Sequence, residues 1–446
     1  MKNKYPHIHY DKEKEVNGYH LRALNDTLDY LFQSSAFYKT KLKGFKKGRK
    51  WIRSLTEMEA LPLTTKSDFQ NSPSSFSCVD ERKFRDFSST AGTSSAPVTI
   101  ALTEKDLRRL AINEAKSFEI AGQKRGDRIQ IMTTLDRQFM GGLAYTLGAF
   151  KKGLGVIRTG NTIPPLQWQS IIENKPQCIV AVPSFIIKLL KYARENGIDP
   201  KLTSVKSAIC IGENIRDKSF KLNVLGKAIC DNWNIKLHSS YASSEMGSSF
   251  TECLHGMGGH TPQELIYCEI LDEMGKPVNK ESYGELVVTP LHIEGMPLFR
   301  FKTGDICRFH YETCSCGRNS PRISPILGRK NQMIKYKGTS LFPDAVFQVL
   351  NEFPQIKNYQ VVASTGDMGT DQLTVILGIS GKEEMVLHEI INRFRARLRV
   401  TPELEIMPAD LLDKRIYPSD NRKPILFLDK RIMPILIVSD AKLTIS

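Results

Sequence analysis

Between Thr103 and Ser239 the sequence alternates helix-length amphipathic segments with short runs of β-formers, and this alternation restricts the fold more than any other feature. Leu107, Leu110, Ala111 and Phe118 fall at helical spacing across Thr103 to Ile120, and Gly122 stops the pattern. Arg128 to Leu135 then reads as a strand, Phe139 to Lys152 as a helix stopped by Gly153, and Gly155 to Thr159 as a strand. Gln177 to Val182 is a further strand, ending at Pro183, and Ser184 is the expected N-cap of a helix from Phe185 to Asn196. Ser207 to Ile211 and Ile235 to Ser239 are two more short apolar strands. Strands separated by helices of this length imply an α/β fold built on a largely parallel sheet. Ligands of such sheets sit beyond the carboxyl ends of the strands. Three polar groups are expected there: Pro183-Ser184, Gly212-Glu213 and Tyr241-Ala-Ser-Ser-Glu245.

The flanking regions differ in character. Residues 1 to about 75 read as mostly helical and polar, with Leu21, Leu24, Leu28 and Leu31 on one face. From about Glu264 the pattern becomes β-rich, including Leu265 to Leu271 and Gly284 to Thr289. After Gly338 a compact α+β segment is expected, with helices at Phe347 to Phe353 and Glu384 to Leu398 and strands at Tyr359 to Ala363 and Leu373 to Ile379. Residues 432–446 fit no element. The 446 residues thus divide into a large domain over 1–330, whose motifs begin near 75, and a small domain over 331–446.

Composition narrows the class. No run of 18 or more apolar residues occurs and the first residues lack an apolar signal core, so a soluble, cytoplasmic protein is expected. Nine cysteines, an odd number over a long chain, make a poor disulfide framework and fit reduced thiols, with a metal-binding subset left open. The net charge of +15 would attract anions, including an acidic protein. Basic residues cluster only at Lys39 to Lys50, where a solvated surface is the plainer reading, and without interleaved aromatics nucleic acid is not an expected partner.

Ser88-Ser-Thr-Ala-Gly-Thr-Ser-Ser-Ala-Pro97 is a run of small and hydroxylated residues that cannot form a core. Its amides and hydroxyls could converge on a phosphate, but such runs are more often linkers, and no Gly-Lys-Ser/Thr closes it as in a Walker loop. Further along come Gly141-Gly142, Val182-Pro183-Ser184, Gly212-Glu213, Tyr241-Ala-Ser-Ser-Glu245, Phe299-Arg-Phe-Lys-Thr-Gly-Asp305 and Gly328-Arg329 through Gly338. Taken together and in order, over roughly residues 80–431, these stretches resemble the adenylate-forming superfamily, and within it the phenylacetate-CoA ligase-like branch.

The resemblance implies a role for each stretch. Thr90, Gly92, Thr93, Ser94 and Ser95 would hold ATP phosphates, Gly212 and Glu213 the adenine side, and Tyr241, Ser243 and Ser244 the rest of the nucleotide. Glu245 would bind Mg²⁺, Asp305 the ribose hydroxyls, and Arg329 the ribose or phosphate side. Lys423, in Asn421-Arg-Lys-Pro-Ile-Leu-Phe-Leu-Asp429-Lys-Arg431, matches the catalytic lysine that would bring carboxylate and α-phosphate together. Asn331-Gln332 stands at the interdomain hinge, and Lys335 and Gly338 on the thiol-side loop. Phe139, Gly141, Gly142, Pro183 and Ser184 would line the acyl pocket. Cys253, His260, Cys314 and Cys316 form a Cys₃His set suited to structural zinc, which some members of the branch hold, with His255 the competing imidazole.

The chain departs from the family pattern in three places. Ser95-Ala96 replaces Gly-Lys in the phosphate loop, Asn331-Gln332 replaces an acidic hinge, and Pro424 follows the candidate lysine. The implied activity is AMP-forming activation of a small carboxylic acid followed by transfer to coenzyme A. Two alternatives stay open: loading of an acidic acyl-carrier protein's phosphopantetheine, or of an amine, and a zinc-containing binding or scaffold protein on an inactive ligase fold.

Overall fold

The computed structural model describes residues 5–46, 48–90, 98–336, 339–366, 370–379, 383–418 and 424–431. The chain divides into two compact units, Met1–Ile326 and Leu327–Ser446. The first opens with helices α1 (Glu13–Ser34), α2 (Ala36–Lys41) and α3 (Lys66–Asn71), then a hairpin of β1 (Phe84–Ser89) and β2 (Thr99–Thr103). There follow α4 (Glu104–Ile120), β3 (Arg128–Ile131), α5 (Met140–Lys152), β4 (Gly155–Arg158), α6 (Pro164–Asn174), β5 (Cys178–Ala181), α7 (Pro183–Glu195), β6 (Ser207–Ile211), α8 (Val224–Asn232) and β7 (Lys236–Ser243). The unit ends in β-structure: β8 (Ser248–Glu252), β9 (Gly259–His260), β10 (Ile266–Leu271), β11 (Gly284–Pro290), β12 (Phe301–Cys307), β13 (Phe309–His310) and β14 (Arg322–Ile323).

Nine strands form one sheet in the order β13-β14-β9-β8-β7-β6-β5-β3-β4. The run from β4 to β7 is parallel, and β8, β9, β14 and β13 continue it antiparallel. The expected α/β architecture is therefore present, because a parallel sheet must be covered on both faces and the intervening helices do so. Ile179, Ala181, Ala208 and Cys210 pack on one side against Ile186, Leu189 and Ile229 of α7 and α8. The alternate residues Cys178, Val180, Ile209 and Ile211 pack on the other side with Phe118, Tyr145 and Ala149 of α4 and α5. Each large apolar side chain buried in this way contributes ~1.5–3 kcal/mol relative to exposure. A separate antiparallel set pairs β10, β11 and β12 in order.

The second unit contains β15 (Gly328–Arg329), a hairpin of β16 (Ile334–Tyr336) and β17 (Thr339–Leu341), α9 (Pro343–Leu350), β18 (Ile356–Thr365), β19 (Asp371–Ile379), α10 (Glu383–Leu398), β20 (Glu403–Ile406), α11 (Ala409–Ile416) and β21 (Phe427–Asp429). Its sheet runs β20-β19-β18-β21, and Val361, Val375 and Leu377 pack against Val346, Ile390 and Phe394 of α9 and α10. Leu412 and Ile416 of α11 cover the opposite face over Val362 and Ile376.

Several element bounds differ from the sequence expectation. Helix α7 begins at Pro183 with Val182 as N-cap, so Ser184 lies inside the first turn; proline fits there because an N1 amide has no helical acceptor. For the same reason α9 starts at Pro343 and ends at Leu350, and is not centred on 347–353. Strand β3 stops at Ile131, and the chain then turns through Arg137 and Gln138, both at positive φ. Strand β7 continues to Ser243, so Tyr241 and Ser243 lie within the strand and not beyond it.

Candidate functional site

At the carboxyl ends of the parallel strands the structure gathers several of the expected polar groups. Thr90 closes the neck of the hydroxyl-rich loop: its amide donates to Val98 O at 3.0 Å and its Oγ1 accepts from Val98 N at 2.9 Å. Beside it, Ser89 N donates to Gln138 O at 2.8 Å, which joins the neck to the turn after β3. Gly92, Thr93, Ser94 and Ser95 lie outside the described residues. Gly142 is required by packing, because a Cβ there would stand 2.1 Å from Thr134 O. Gly141 packs against the Phe139 ring, so both glycines have a structural role whatever they do for a substrate.

Gly212 is the first residue beyond β6, and Glu213 next to it reaches the start of α7. There Ser184 N and Ser184 Oγ each donate to the Glu213 carboxylate at 2.8 Å. A carboxylate at a helix N-terminus satisfies unpaired amides and is favoured by the helix dipole. Pro183, Ser184, Gly212 and Glu213 are thus one cluster bridging two strand ends.

Tyr241 and Asp305 come from different sheets and meet directly. The Tyr241 hydroxyl on β7 donates to Asp305 Oδ2 on β12 at 2.6 Å, a short charge-assisted bond. Asp305 is buried, and its amide donates to Thr303 Oγ1 at 3.1 Å. Burial and the neighbouring Asp305 charge push the Tyr241 phenol well above its ordinary pKa, so it remains a donor. Just past Tyr241 the chain turns through Ser243, Ser244 and Glu245. The turn is closed by Gly247 N to Ser243 O at 3.3 Å and to Ser244 O at 3.2 Å, with Gly247 at φ 51°, a region that favours glycine. Glu245 sits half-buried at its apex. Two serine hydroxyls and a carboxylate are hard oxygen donors, a set that fits Mg²⁺ carried on phosphates.

Arg300, inside the stretch leading to Asp305, is buried in a two-pronged ion pair. Its Nε and Nη2 donate to the Glu269 carboxylate at 3.0 and 2.8 Å, which ties β10 to the start of β12. Neither of two cavities of about 270 and 290 Å³ elsewhere on the chain is lined by a residue expected at the site.

The four candidate zinc ligands converge. Cys253 follows β8, His260 ends β9, and Cys314 and Cys316 lie between β13 and β14, so adjacency of these strands brings three separate loops together. All four ligand atoms lie within 4.8 Å of one another. Cys253 Sγ is 3.7 Å from Cys314 Sγ, and Cys316 Sγ is 3.5 Å from His260 Nε2. A tetrahedral zinc with ~2.3 Å sulfur and ~2.0 Å nitrogen bonds has edges of ~3.8 and ~3.5 Å, so the set fits a closed structural site. His260 Nδ1 lies 2.9 Å from Ser320 Oγ, a contact that orients the ring and directs Nε2 at the sulfurs. His255 is exposed and outside the cluster.

In the second unit Arg329 is exposed at its start, and Asn331 and Gln332 lie in a 3₁₀ turn, Lys330–Gln332. Lys335 is exposed on β16, and Gly338 and Lys423 lie outside the described residues. Just before β21, Val361 N donates to Leu426 O at 2.8 Å. Sequence reasoning missed a brace on the segment after Asn331-Gln332. Arg431 donates to Asp371 Oδ2 at 2.7 Å and to Met333 O at 2.8 Å, while Lys335 N also donates to Asp371 Oδ2 at 2.7 Å. It also missed the buried face of α4, where Arg109 and Glu114 sit. Charged residues in an amphipathic helix read as its solvent side, and only their spacing with Asn113 and Ser117 could have signalled otherwise.

No family model matches the chain. Among curated proteins it is similar to a phenylacetate-coenzyme A ligase of Thermus thermophilus, 28% identical over 354 residues that cover 77% of this chain and 78% of the relative. A phenylacetate-coenzyme A ligase of Aromatoleum evansii is 29% identical over 342 residues, 76% of each chain. Among solved structures, 2-hydroxyisobutyryl-CoA ligase in complex with R3-HIB-AMP superposes with a TM-score of 0.82 at 21% identity, covering 97% of this chain and 93% of that one. O-succinylbenzoate coenzyme A synthetase from Bacillus subtilis, in complex with ATP and magnesium ion, gives 0.56 at 17% identity over 72% and 66% of the two chains. Motif order, relatives and fold agree, and over most of its length the chain is similar to adenylate-forming acyl-CoA ligases.

Proposed function

We propose that the protein is an AMP-forming acid–CoA ligase acting in two half-reactions. A small carboxylate attacks the α-phosphorus of ATP to give an acyl-adenylate and pyrophosphate; the CoA thiol then attacks the acyl carbon, releasing AMP and the thioester. The observation that carries this reading is the Tyr241–Asp305 pair, which holds a buried carboxylate beside the Glu245 turn at the strand ends. Asp305 would accept the ribose hydroxyls, and the hydroxyl-rich loop beyond Thr90 would surround the phosphates. Mg²⁺ bound by Glu245 and ATP would neutralise charge building on the leaving pyrophosphate. Gly212 and Glu213 would border the adenine, and Arg329 the ribose or phosphate side. The Cys₃His set would hold zinc as a strut with no open position for catalysis.

Lys423 would supply the cation that draws carboxylate and α-phosphate together, and Lys423→Ala should abolish acid-dependent ATP–pyrophosphate exchange. Asn331-Gln332 is assigned to the pivot, and Lys335 and Gly338 to the thiol side. Phe139 and the Pro183-Ser184 cluster border the proposed acyl pocket. A pyrophosphate-release screen over aryl, arylalkyl and aliphatic acids, with and without CoA, tests the reading. At least one acid should release pyrophosphate and yield a thioester only with CoA; no release with any acid would contradict it. The +15 charge favours one variant, in which an acidic carrier protein accepts the acyl group. Loading of a carrier protein that weakens with salt, without comparable CoA turnover, would support that variant.

A further inference from the structure

Helix α4 carries a stripe of polar side chains on a buried face: Asp106, Arg109, Asn113 and Ser117, each at most 2% exposed. Their spacing of three and four residues sets them one above another on the helix. Asn113 Nδ2 donates to Ser249 Oγ at 2.9 Å, and Ser117 Oγ lies 2.7 Å from the same hydroxyl, so the stripe docks on β8. Arg109 is the costly member, because a buried guanidinium is tolerated only where its donors are met. It donates through Nε to Leu291 O at 2.7 Å, through Nη1 to Gly247 O at 2.7 Å, and through Nη2 to Ser248 Oγ at 3.1 Å and to Leu265 O. None of these acceptors is a carboxylate.

Gly247 and Ser248 are the residues on which the Glu245 turn closes and re-enters the sheet. One side of the turn is fixed by pairing of β7, and the other by the Arg109 fork. Three residues earlier on the helix, Asp106 receives the amides of Glu294 at 2.7 Å and Gly295 at 2.9 Å, in the segment that leads to Asp305. One helix end therefore braces the approaches to both carboxylates.

We propose that Arg109 is a positioning residue for the divalent-metal site, holding the Ser243–Gly247 turn so that the Glu245 carboxylate meets the metal of metal·ATP. The inference rests on the reading of Glu245 given under Proposed function. A planar fork is needed because the Gly247 carbonyl and the Ser248 hydroxyl are engaged from one side chain, which the single ammonium of lysine cannot do in the same geometry.

The test uses the full-length protein and Mn²⁺·ATP as probe, read as the protein-bound complex by water-proton relaxation enhancement, together with amide hydrogen exchange over residues 243–248. Arg109→Lys keeps the charge and removes the fork; Ser248→Ala removes a single acceptor and serves if the first variant does not fold. Ser249→Ala removes contacts of Asn113 and Ser117 on the same strand without touching the fork, and Glu245→Gln gives the reference for losing the ligand. The expected result is roughly tenfold weaker Mn²⁺ binding in Arg109→Lys, the lower end for residues that orient metal ligands. A smaller loss in the same direction is expected in Ser248→Ala, faster exchange of the turn in both, and unchanged Mn²⁺ affinity in Ser249→Ala. Wild-type Mn²⁺ affinity in Ser248→Ala beside a weakened Glu245→Gln overturns the positioning role alone. Equal losses in Ser248→Ala and Ser249→Ala also overturn it, since they mark general loosening of the strand. Undiminished binding in Glu245→Gln removes the reading of Glu245 itself, and the inference with it.

Discussion

Replacing Tyr241 by Phe removes one hydrogen bond and no packing volume, and its consequence can be worked from the geometry. The phenol donates to Asp305 Oδ2 at 2.6 Å, and both residues are withdrawn from solvent. A hydrogen bond to an ionised group contributes ~1.5–3 kcal/mol net, and the partner left behind is a buried carboxylate short of a donor. That carboxylate is free to turn away from the plane in which two ribose hydroxyls would be met. At ~1.36 kcal/mol per decade, the KM for ATP should rise ~10- to ~150-fold. A ribose contact would be made equally in the ground and transition states, so kcat should change little. The assay is acid-dependent ATP–pyrophosphate exchange over a range of ATP concentrations. Because the phenol stays protonated well beyond its ordinary pKa, the effect should be flat from pH 6 to 9. A KM within twofold of the unsubstituted protein, or a lower one, would refute the idea that Tyr241 holds the ribose acceptor in place.

The Cys₃His cluster should carry one zinc per chain by metal analysis; Cys314→Ser should lose the metal and lower the melting temperature, and a metal-free protein purified without chelator would count against the site. Gly142→Ala should destabilise the protein by ~1–3 kcal/mol, because its Cβ would stand 2.1 Å from the Thr134 carbonyl oxygen; an unchanged melting temperature would show that α5 can yield there. Glu114 is fully buried, and burial raises its carboxyl from the usual 4.5 to about 7. The stability conferred by its protonated form is complete below the unfolded value and is lost as pH rises through about 7. Glu114→Gln, neutral at every pH, should therefore gain on the unsubstituted protein by ~2–3 kcal/mol between pH 5 and pH 8 in denaturant titrations. A pH-independent difference would mean that Glu114 is not protonated in the fold.

What was legible in the sequence follows the physics of each element. The β-branched and apolar runs at 178–181 and 207–211 announced parallel strands because both of their faces are buried, leaving no polar alternation to confuse them. Strand ends were less legible: β7 runs on to Ser243 because its last residues pair with β8, a long-range partner that local composition does not reveal. The start of α9 at Pro343 was encoded and overlooked, since proline at N1 is itself a start signal. Cys314 and Cys316 could be paired from spacing and Cys253 and His260 through the resemblance, while their 3.5–3.7 Å contacts depend on the adjacency of β8, β9, β14 and β13. Arg109 and Glu114 were hidden because charge in a helical repeat ordinarily faces water; here the helix lies between α5 and β8 and buries them.

The account turns on whether the carboxylate oxygen attacks the α-phosphorus of ATP. That is read directly by supplying an accepted acid labelled with ¹⁸O in both carboxyl oxygens, together with ATP and CoA, and weighing the products by mass spectrometry. Adenylate chemistry predicts one ¹⁸O in the phosphate of AMP, unlabelled pyrophosphate and a thioester that retains one ¹⁸O. Label in orthophosphate with ADP as co-product, or unlabelled AMP, would contradict it.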